Sequence, residues 1–312
     1  MVKGPVVRPT LPAILNNQVK PDSVSRLDFA QWLFSPVNPL TSRVAVNRFW
    51  AQLFDKGLVA TLEDFGSQGN KPSHPALLDH LAWKFSNDFH WSVKSLLKYI
   101  VTSHTYQQSS KTSEKQLKKD PANIWLSRAN RTRLSAEVLR DQALYVADLL
   151  SHKMYGPSVM PYQPEGIWKT FYSDMNWLTE KGEYGHRLAL YTYIRRTSPY
   201  PSFITFDSPS REFCVNRRIT TNTPLQALVT LNDPVYVEAA RKLSEYMDQY
   251  PGNLENKIAQ GYRKAMIQNI SPKTLHTLIE LYHDAANQPS ELSPMMVIAN
   301  ALFNLDQFIT KS

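Results

Sequence analysis

Asn38-Pro39-Leu40-Thr41-Ser42-Arg43-Val44-Ala45-Val46-Asn47-Arg48-Phe49-Trp50-Ala51-Gln52-Leu53-Phe54 sets the pattern by which most of the chain reads. A short polar residue precedes proline, and Val46, Phe49, Trp50, Leu53 and Phe54 then follow the i, i+3, i+4, i+7, i+8 spacing of an amphipathic helix. The polar side chain can accept from an orphan amide of the first turn. Proline at the first helical position loses nothing there, because its missing N–H had no partner. The same device recurs at Asp120-Pro121, Thr223-Pro224, Asp233-Pro234, Ser271-Pro272 and Ser293-Pro294. Further stripes are Leu77, Leu78, Leu81, Ala82, Phe85; Val93, Leu96, Leu97, Ile100, Val101; and Leu139, Ala143, Val146, Ala147, Leu150. Leu275, Leu278, Ile279 and Tyr282 mark a late helix, and Ile298, Ala301, Leu302 and Leu305 the last one.

One stretch breaks the habit. Residues 154–222 hold Pro157, Pro161, Pro164, Pro199, Pro201 and Pro209 together with Tyr162, Trp168, Phe171, Tyr172 and Trp177. Within it, Leu188, Leu190, Thr192 and Ile194 alternate with Ala189, Tyr191 and Tyr193, which predicts a strand from Arg187 to Arg195. Ser202–Phe206 is expected to pair with it. The fold class predicted is therefore mainly α: a multi-helix orthogonal bundle with a long irregular, partly β insert (a short hairpin) at about 154–222. Residues 1–24, with Pro5, Pro9, Pro12 and Pro21 and no periodicity, read as an extended linker remnant. The remainder, 25–312, reads as a single helical domain: N-terminal helices over 25–153, the insert, and C-terminal helices over 223–312. A long irregular segment inside a domain marks a functional surface or a misread element.

The 312 residues carry a net charge of +8, with 42% hydrophobic and 20% charged residues, a globular balance. Basic charge can serve a polyanionic partner, but the densest lysine run, Lys111, Lys115, Lys118 and Lys119, reads as a solvated link between two helices. Nucleic acid is not the expected partner. Cys214 stands alone, so no internal disulfide is possible, and a lone cysteine is more often a buried apolar side chain than a nucleophile. There is no C-x-x-C-H, P-loop, G-x-S-x-G, H-E-x-x-H or G-x-G-x-x-G motif, and no cofactor is expected in this chain. No stretch reaches the roughly 18 apolar residues of a membrane span, and the first residues do not form a signal peptide. On composition alone the chain reads as cytoplasmic.

The densest polar cluster is Phe206-Asp207-Ser208-Pro209-Ser210-Arg211-Glu212-Phe213-Cys214-Val215-Asn216-Arg217-Arg218, followed by Thr220-Thr221-Asn222-Thr223-Pro224 leading into a helix. Arginine forks beside free helix-start amides suit a carboxylate, sulfate or phosphate. Alternatively, Asp207 and Glu212 pair with those arginines and only pin the loop. Glu137, Asp141 and Asp148 share one stripe with Arg133 and Arg140 close by, readable as carboxylates that divide acid and base roles or as a charged face braced by Arg133 and Glu137 at i, i+4. Asn47 and Arg48 beside Phe49-Trp50, and Tyr191, Tyr193 and Arg195-Arg196, could stack on rings. His74 reads as part of a helix cap rather than a base. His276, Glu280 and His283 have zinc-like spacing, but their face flanks an apolar stripe and would be solvated, so no metal is assigned.

Taken together, Asn38–Trp50, Asp64-Phe65-Gly66, Pro72-Ser73-His74-Pro75, Arg133-Leu134-Ser135-Ala136-Glu137, Gly156-Pro157-Ser158-Val159, Pro161-Tyr162-Gln163-Pro164, the cluster 206–218, Thr221-Asn222-Thr223-Pro224-Leu225-Gln226-Ala227-Leu228, Leu231-Asn232-Asp233-Pro234 and Asn304-Leu305-Asp306-Gln307-Phe308 resemble the planctomycete-specific domain family, also called domain of unknown function 1553. Departures are Asn70, where members often carry Glu, and Ile194, where Trp is usual. The stretch Ile267–Ser271 matches weakly. The resemblance implies the C-terminal module of a larger exported protein, behind a cytochrome-c-like haem domain and a second uncharacterised domain of the same polypeptide. Those domains are the expected partners, and the location implied is extracytoplasmic (periplasmic or secreted). No reaction comes with it. The matching polar positions are Asn47, Arg48, Asp64, His74, Glu137, Arg140, Asp141, Asp207, Arg211, Cys214, Arg217 and Asn222. The functions left open are an enzyme or binding module for an anionic or carbohydrate ligand, working with the upstream haem domain, with Asp207, Arg211, Cys214, Arg217, Asn222, Arg48, Asn47, His74, Glu137 and Asp141 as its candidate residues, and a non-catalytic scaffold that docks a partner domain.

Overall fold

The computed structural model describes residues 4, 8–15, 24–163 and 177–311. The chain divides into two compact units, Met1–Asn130 and Arg131–Ser312. The boundary falls inside the span 25–153 that the sequence groups as N-terminal helices.

The first unit holds a short 3-10 turn, Ala13–Leu15, and helices α1 (Arg26–Leu33), α2 (Leu40–Phe54), α3 (Pro75–Ser86), α4 (Val93–Val101) and α5 (Glu114–Lys119). The predicted stripes become its core: Val46, Trp50 and Phe54 of α2 pack with Leu78, Leu81 and Phe85 of α3 and Leu96 and Ile100 of α4. Trp50 and Phe54 stack at 4.1 Å between centroids, one turn apart. Three lysines of the run, Lys115, Lys118 and Lys119, lie within a further helix, α5, with Lys111 before it; the start of α5 is held by Ser113 and Gln116 in a reciprocal capping box. Asp120-Pro121 starts no helix. Asp120 instead folds a turn beyond α5, accepting the Ile124 and Trp125 amides at 2.8 Å.

The second unit contains β1 (Thr132–Arg133), α6 (Ala136–Val146), a 3-10 turn at Ala189–Tyr191, α7 (Pro201–Thr205), α8 (Pro224–Asn232), α9 (Pro234–Gln249), α10 (Leu254–Met266), α11 (Pro272–Ala286), α12 (Pro294–Asn304), α13 (Asp306–Ile309) and β2 (Thr310–Lys311). Four of these helices, α8, α9, α11 and α12, open on the proline device; Asp233, Ser271 and Ser293 cap theirs with side-chain oxygens. The main core is built from α9, α10 and α12, with Leu243, Met247, Ile258, Ile298 and Leu302 fully buried. A smaller cluster joins Ala136 and Leu139 of α6 to Ala189, Tyr200, Phe203 and Phe206.

The fold is mainly helical, as the periodicity predicts, but the strands lie elsewhere than expected. The two-stranded antiparallel sheet pairs β1 with β2, the two ends of the second unit. Arg187–Arg195 is not a strand; it makes isolated bridges, Ser151 to Arg187 and Val159 to Thr192, around the 3-10 turn. Ser202–Phe206 lies mostly within α7 and its C-cap. The alternation misled because the segment's backbone bonds are divided among isolated bridges, the 3-10 turn and the Asp141 side chain rather than one neighbouring strand, and Leu190 is 76% exposed. Among the described residues no helix is long and apolar enough to cross a membrane. Pro164, Trp168, Phe171 and Tyr172 lie outside the described residues.

Asn47 holds the first unit's turn together. After α2, Asp55 takes a left-handed conformation (φ 67°) and the chain doubles back through Gly57. The fully buried Asn47 amide then accepts from Val59 N–H at 2.8 Å and donates to the Val59 carbonyl at 2.9 Å. A Cβ on Gly57 would sit 2.8 Å from Asn47 Nδ2, so only glycine lets the backbone pass. Asn47→Ala leaves a buried N–H and C=O unpaired and is expected to cost about 2–4 kcal/mol. Urea denaturation checks this; an unchanged midpoint would mean the clasp is not formed in solution.

Candidate functional site

The irregular segment of the second unit is organised by two buried arginines. Arg140, on α6 and 1% exposed, donates from Nη1 to the Arg187 carbonyl (2.9 Å) and from Nη2 to the Gly185 carbonyl (2.7 Å). Arg187, equally buried, donates to the carbonyls of Pro157 (2.9 Å), Lys153 (3.2 Å) and Tyr155 (2.5 Å), and its guanidinium lies 3.7 Å from the Tyr191 ring centre. Asp141 completes the scaffold by accepting the Ala189 amide at 2.7 Å. Burial raises the Asp141 carboxyl, against the amide bond and Arg140, which lower it. Asp233 is also raised by burial while it caps α9. Tyr200 and Tyr236 are pushed far up, again mainly by burial, so both stay neutral phenols. Tyr200 O–H donates to the Tyr162 carbonyl at 2.8 Å, and its ring stacks on Trp177.

Above this scaffold lies the polar cluster. The chain leaves α7, turns at Asp207 in a left-handed conformation (φ 61°), and runs exposed to α8. Asp207 closes the loop: its carboxylate accepts from Thr221 N–H (2.7 Å) and Thr221 O–H (2.8 Å). Buried Gln226 donates to the Thr205 carbonyl (3.0 Å) and to Thr221 Oγ1 (3.1 Å), tying both ends of the loop to α8. Arg133 donates to Asn222 Oδ1 at 2.6 Å. Arg218 grips Glu137 with both nitrogens, at 2.5 and 2.9 Å. The expected Arg133–Glu137 brace is therefore replaced: each takes a partner from the loop, because the loop crosses the start of α6.

The expected residues thus separate. Asp207, Asn222, Glu137 and Asp141 belong to one neighbourhood in the second unit, each engaged by a donor of the same unit. Arg211, Cys214 and Arg217 lie on the exposed loop, Arg211 left-handed at φ 65°. Cys214 is exposed, against the expectation of a buried thiol. Asn47, Arg48 and His74 belong to the first unit. Asn47 is committed to Val59, Arg48 is exposed on α2, and His74 stands at the N-cap of α3. The His74 side chain does not cap; Nδ1 lies 3.0 Å from Ser73 Oγ. His276 and Glu280 form an exposed pair at 3.3 Å. Arg187, Thr221 and Gln226 were missed as organising residues. Gln226 was readable, standing three residues after Thr223 at capping-box spacing and accepting the Thr223 amide at 3.4 Å. Arg187 carried no local signal, because its partners are backbone carbonyls about 30 residues back.

Two outcomes test the arrangement. Arg140→Ala strands the buried carbonyls of Gly185 and Arg187 and is expected to cost about 3 kcal/mol or more, read from the denaturation midpoint; a small loss would mean water replaces the guanidinium. Burial is the largest influence and works against the Glu137 carboxylate, but the Arg218 fork together with hydrogen bonds from its own amide and Ser135 holds the group below its ordinary 4.5. A lowered carboxyl stabilises the fold above the unfolded value and loses that contribution as pH falls through the folded one. Arg218 is over a third exposed, so the pair is worth only about 1 kcal/mol. Glu137→Gln should melt below wild type at pH 7, and the gap should close below pH ~4; a pH-independent gap would exclude the ionic contribution.

No curated protein and no solved structure matches this chain. The sequence model of a family of proteins of unknown function matches residues 25–282, taking in most of both units and the whole polar cluster. The chain is therefore a member of that family, DUF1553 (PSD1).

Proposed function

We propose that the second unit is a non-catalytic docking module of an extracytoplasmic protein, and that its exposed loop and the outer face of α8 seat the haem-bearing domain of the same polypeptide. The observation that carries this is the surface of the loop. Every residue from Ser210 to Leu225 is exposed, among them Phe213 (70%) and Ile219 (78%), and Leu225 and Leu228 continue the apolar strip along α8. Single exposed apolar residues are ordinary; a run of them on one segment marks an interaction surface. Asp207–Thr221 closes the ends of the loop and Glu137–Arg218 ties it to α6, which lowers the ordering cost of binding. Arg211 and Arg217 at its rim, and the +8 net charge, favour a partner with an acidic rim around an apolar centre.

The enzyme reading asks for an available carboxylate base. Asp207 and Glu137 instead spend their oxygens on Thr221 and Arg218. The ligand reading keeps Arg211, exposed on the loop.

The exposed thiol of Cys214 allows a direct test. A photo-crosslinker attached there, in the native polypeptide with its haem domain, should yield a haem-staining conjugate by light. Phe213→Ser with Ile219→Ser should reduce it at least about tenfold. No conjugate, or one unaffected by the double substitution, rejects the docking reading. If sulfated or phosphorylated sugars raise the melting temperature in wild type but not in Arg211→Ala, the loop is a ligand site instead.

A further inference from the structure

The first unit carries a cleft of about 330 Å³ that plays no part in the docking loop. Its walls are aromatic. Phe34, just beyond α1, is 59% exposed and meets Trp91 edge-to-face at 4.8 Å. Trp91 is fixed in turn by Phe85 at 5.2 Å and by its own amide, which donates to the Phe85 carbonyl at 2.8 Å. Facing solvent on α3 is Trp83, 58% exposed. An indole left more than half in water beside a formed cleft is costly for folding and valuable for binding.

The polar groups of the cleft are of both signs. Arg43 of α2 and Asp79 of α3 pair at 2.5 Å, with 37% and 53% of their side chains exposed. Among the described residues, the pair's contact engages one Arg43 nitrogen and one Asp79 oxygen, which leaves further donors on one side and a carboxylate oxygen on the other. Asn87 spends its Nδ2 on the Trp83 carbonyl and Ser86 Oγ, while its Oδ1 accepts no hydrogen bond among the described residues.

From this combination we infer that the cleft binds a neutral saccharide, one pyranose ring stacking on Trp83 and its hydroxyls bridging Arg43, Asp79 and Asn87. Sugar hydroxyls donate and accept at once, which matches a paired donor and acceptor; their C–H faces match an exposed indole. An anionic ligand would meet Asp79, and a cationic one Arg43. A polyproline segment would match the rings but offers only carbonyl acceptors, leaving the oxygens of Asp79 and Asn87 stripped of water and unpaired. The volume lies at the lower end of ligand pockets, enough for one or two rings.

Isothermal titration calorimetry of the whole chain tests this, using cellotetraose, xylotetraose, mannotetraose and N-acetylated chitotetraose, with decaproline as the competing probe. At least one oligosaccharide should bind saturably. Trp83→Ala should weaken it about tenfold, and Asp79→Asn, which keeps the shape, about fivefold. Both positions are exposed, and an unchanged thermal melt confirms that each variant is folded; should Trp83→Ala destabilise, Asp79→Asn decides alone. Absence of binding across the four sugars at millimolar concentration overturns the proposal. So does sugar binding indifferent to both substitutions, which would place the site elsewhere, or decaproline binding in place of the sugars.

Discussion

The second unit depends on one unusual commitment, the burial of the Arg140 guanidinium. Removing such a cation from water is expensive, and its nearest carboxylate, Asp141, stands at 3.6 Å and serves chiefly the Ala189 amide. What offsets the cost is a set of backbone carbonyls with no strand or helix to pair with. Arg140 takes those of Gly185 and Arg187, and Arg187 takes those of Lys153, Tyr155 and Pro157. A buried irregular chain must place its polar backbone groups somewhere, and two planar forks with fixed donors do so without a sheet. Tyr200, Phe203 and Phe206 can then pack on α6, and the loop begins from a rigid base.

That base explains how the loop can be both exposed and ordered. Asp207, Thr221 and Gln226 close it like a staple, and the Glu137–Arg218 fork ties its middle to α6. The polar groups usually sought in an active site are thereby spent on architecture. What remains outward on the loop includes Phe213 and Ile219 beside Arg211, Glu212 and Arg217. The first unit differs: its polar groups at the Arg43–Asp79 pair are only half spent, beside rings that are only half covered.

The helices were legible because their information is local. The stripe of Val46, Trp50 and Phe54 is the core of the first unit, and the proline device starts α8, α9, α11 and α12 where the sequence places them. It failed at Asp120-Pro121, where the following residues carry no apolar stripe and the carboxylate folds a turn instead. The Phe206–Arg218 cluster was legible as the special segment, since dense charge between proline-rich runs has no place in a helix bundle. Its wiring was not. Glu137 lies four residues from Arg133 and 81 from Arg218, yet takes the distant partner.

By itself, then, the sequence determined where α8, α9, α11 and α12 begin, the apolar stripes of α2, α3 and α4, and which segment departs from the bundle, because capping, proline geometry and apolar periodicity act within a few residues. Only the tertiary structure decided that Arg187–Arg195 is no strand, that Asn47 and Asp141 hold backbone in place, that Cys214 faces solvent, and that Phe34, Trp83, Arg43 and Asp79 meet around one cleft. Those outcomes turn on hydrogen bonds and ring contacts between residues tens of positions apart. The alternation of a short segment carries no record of whether its backbone will find a strand or a buried guanidinium.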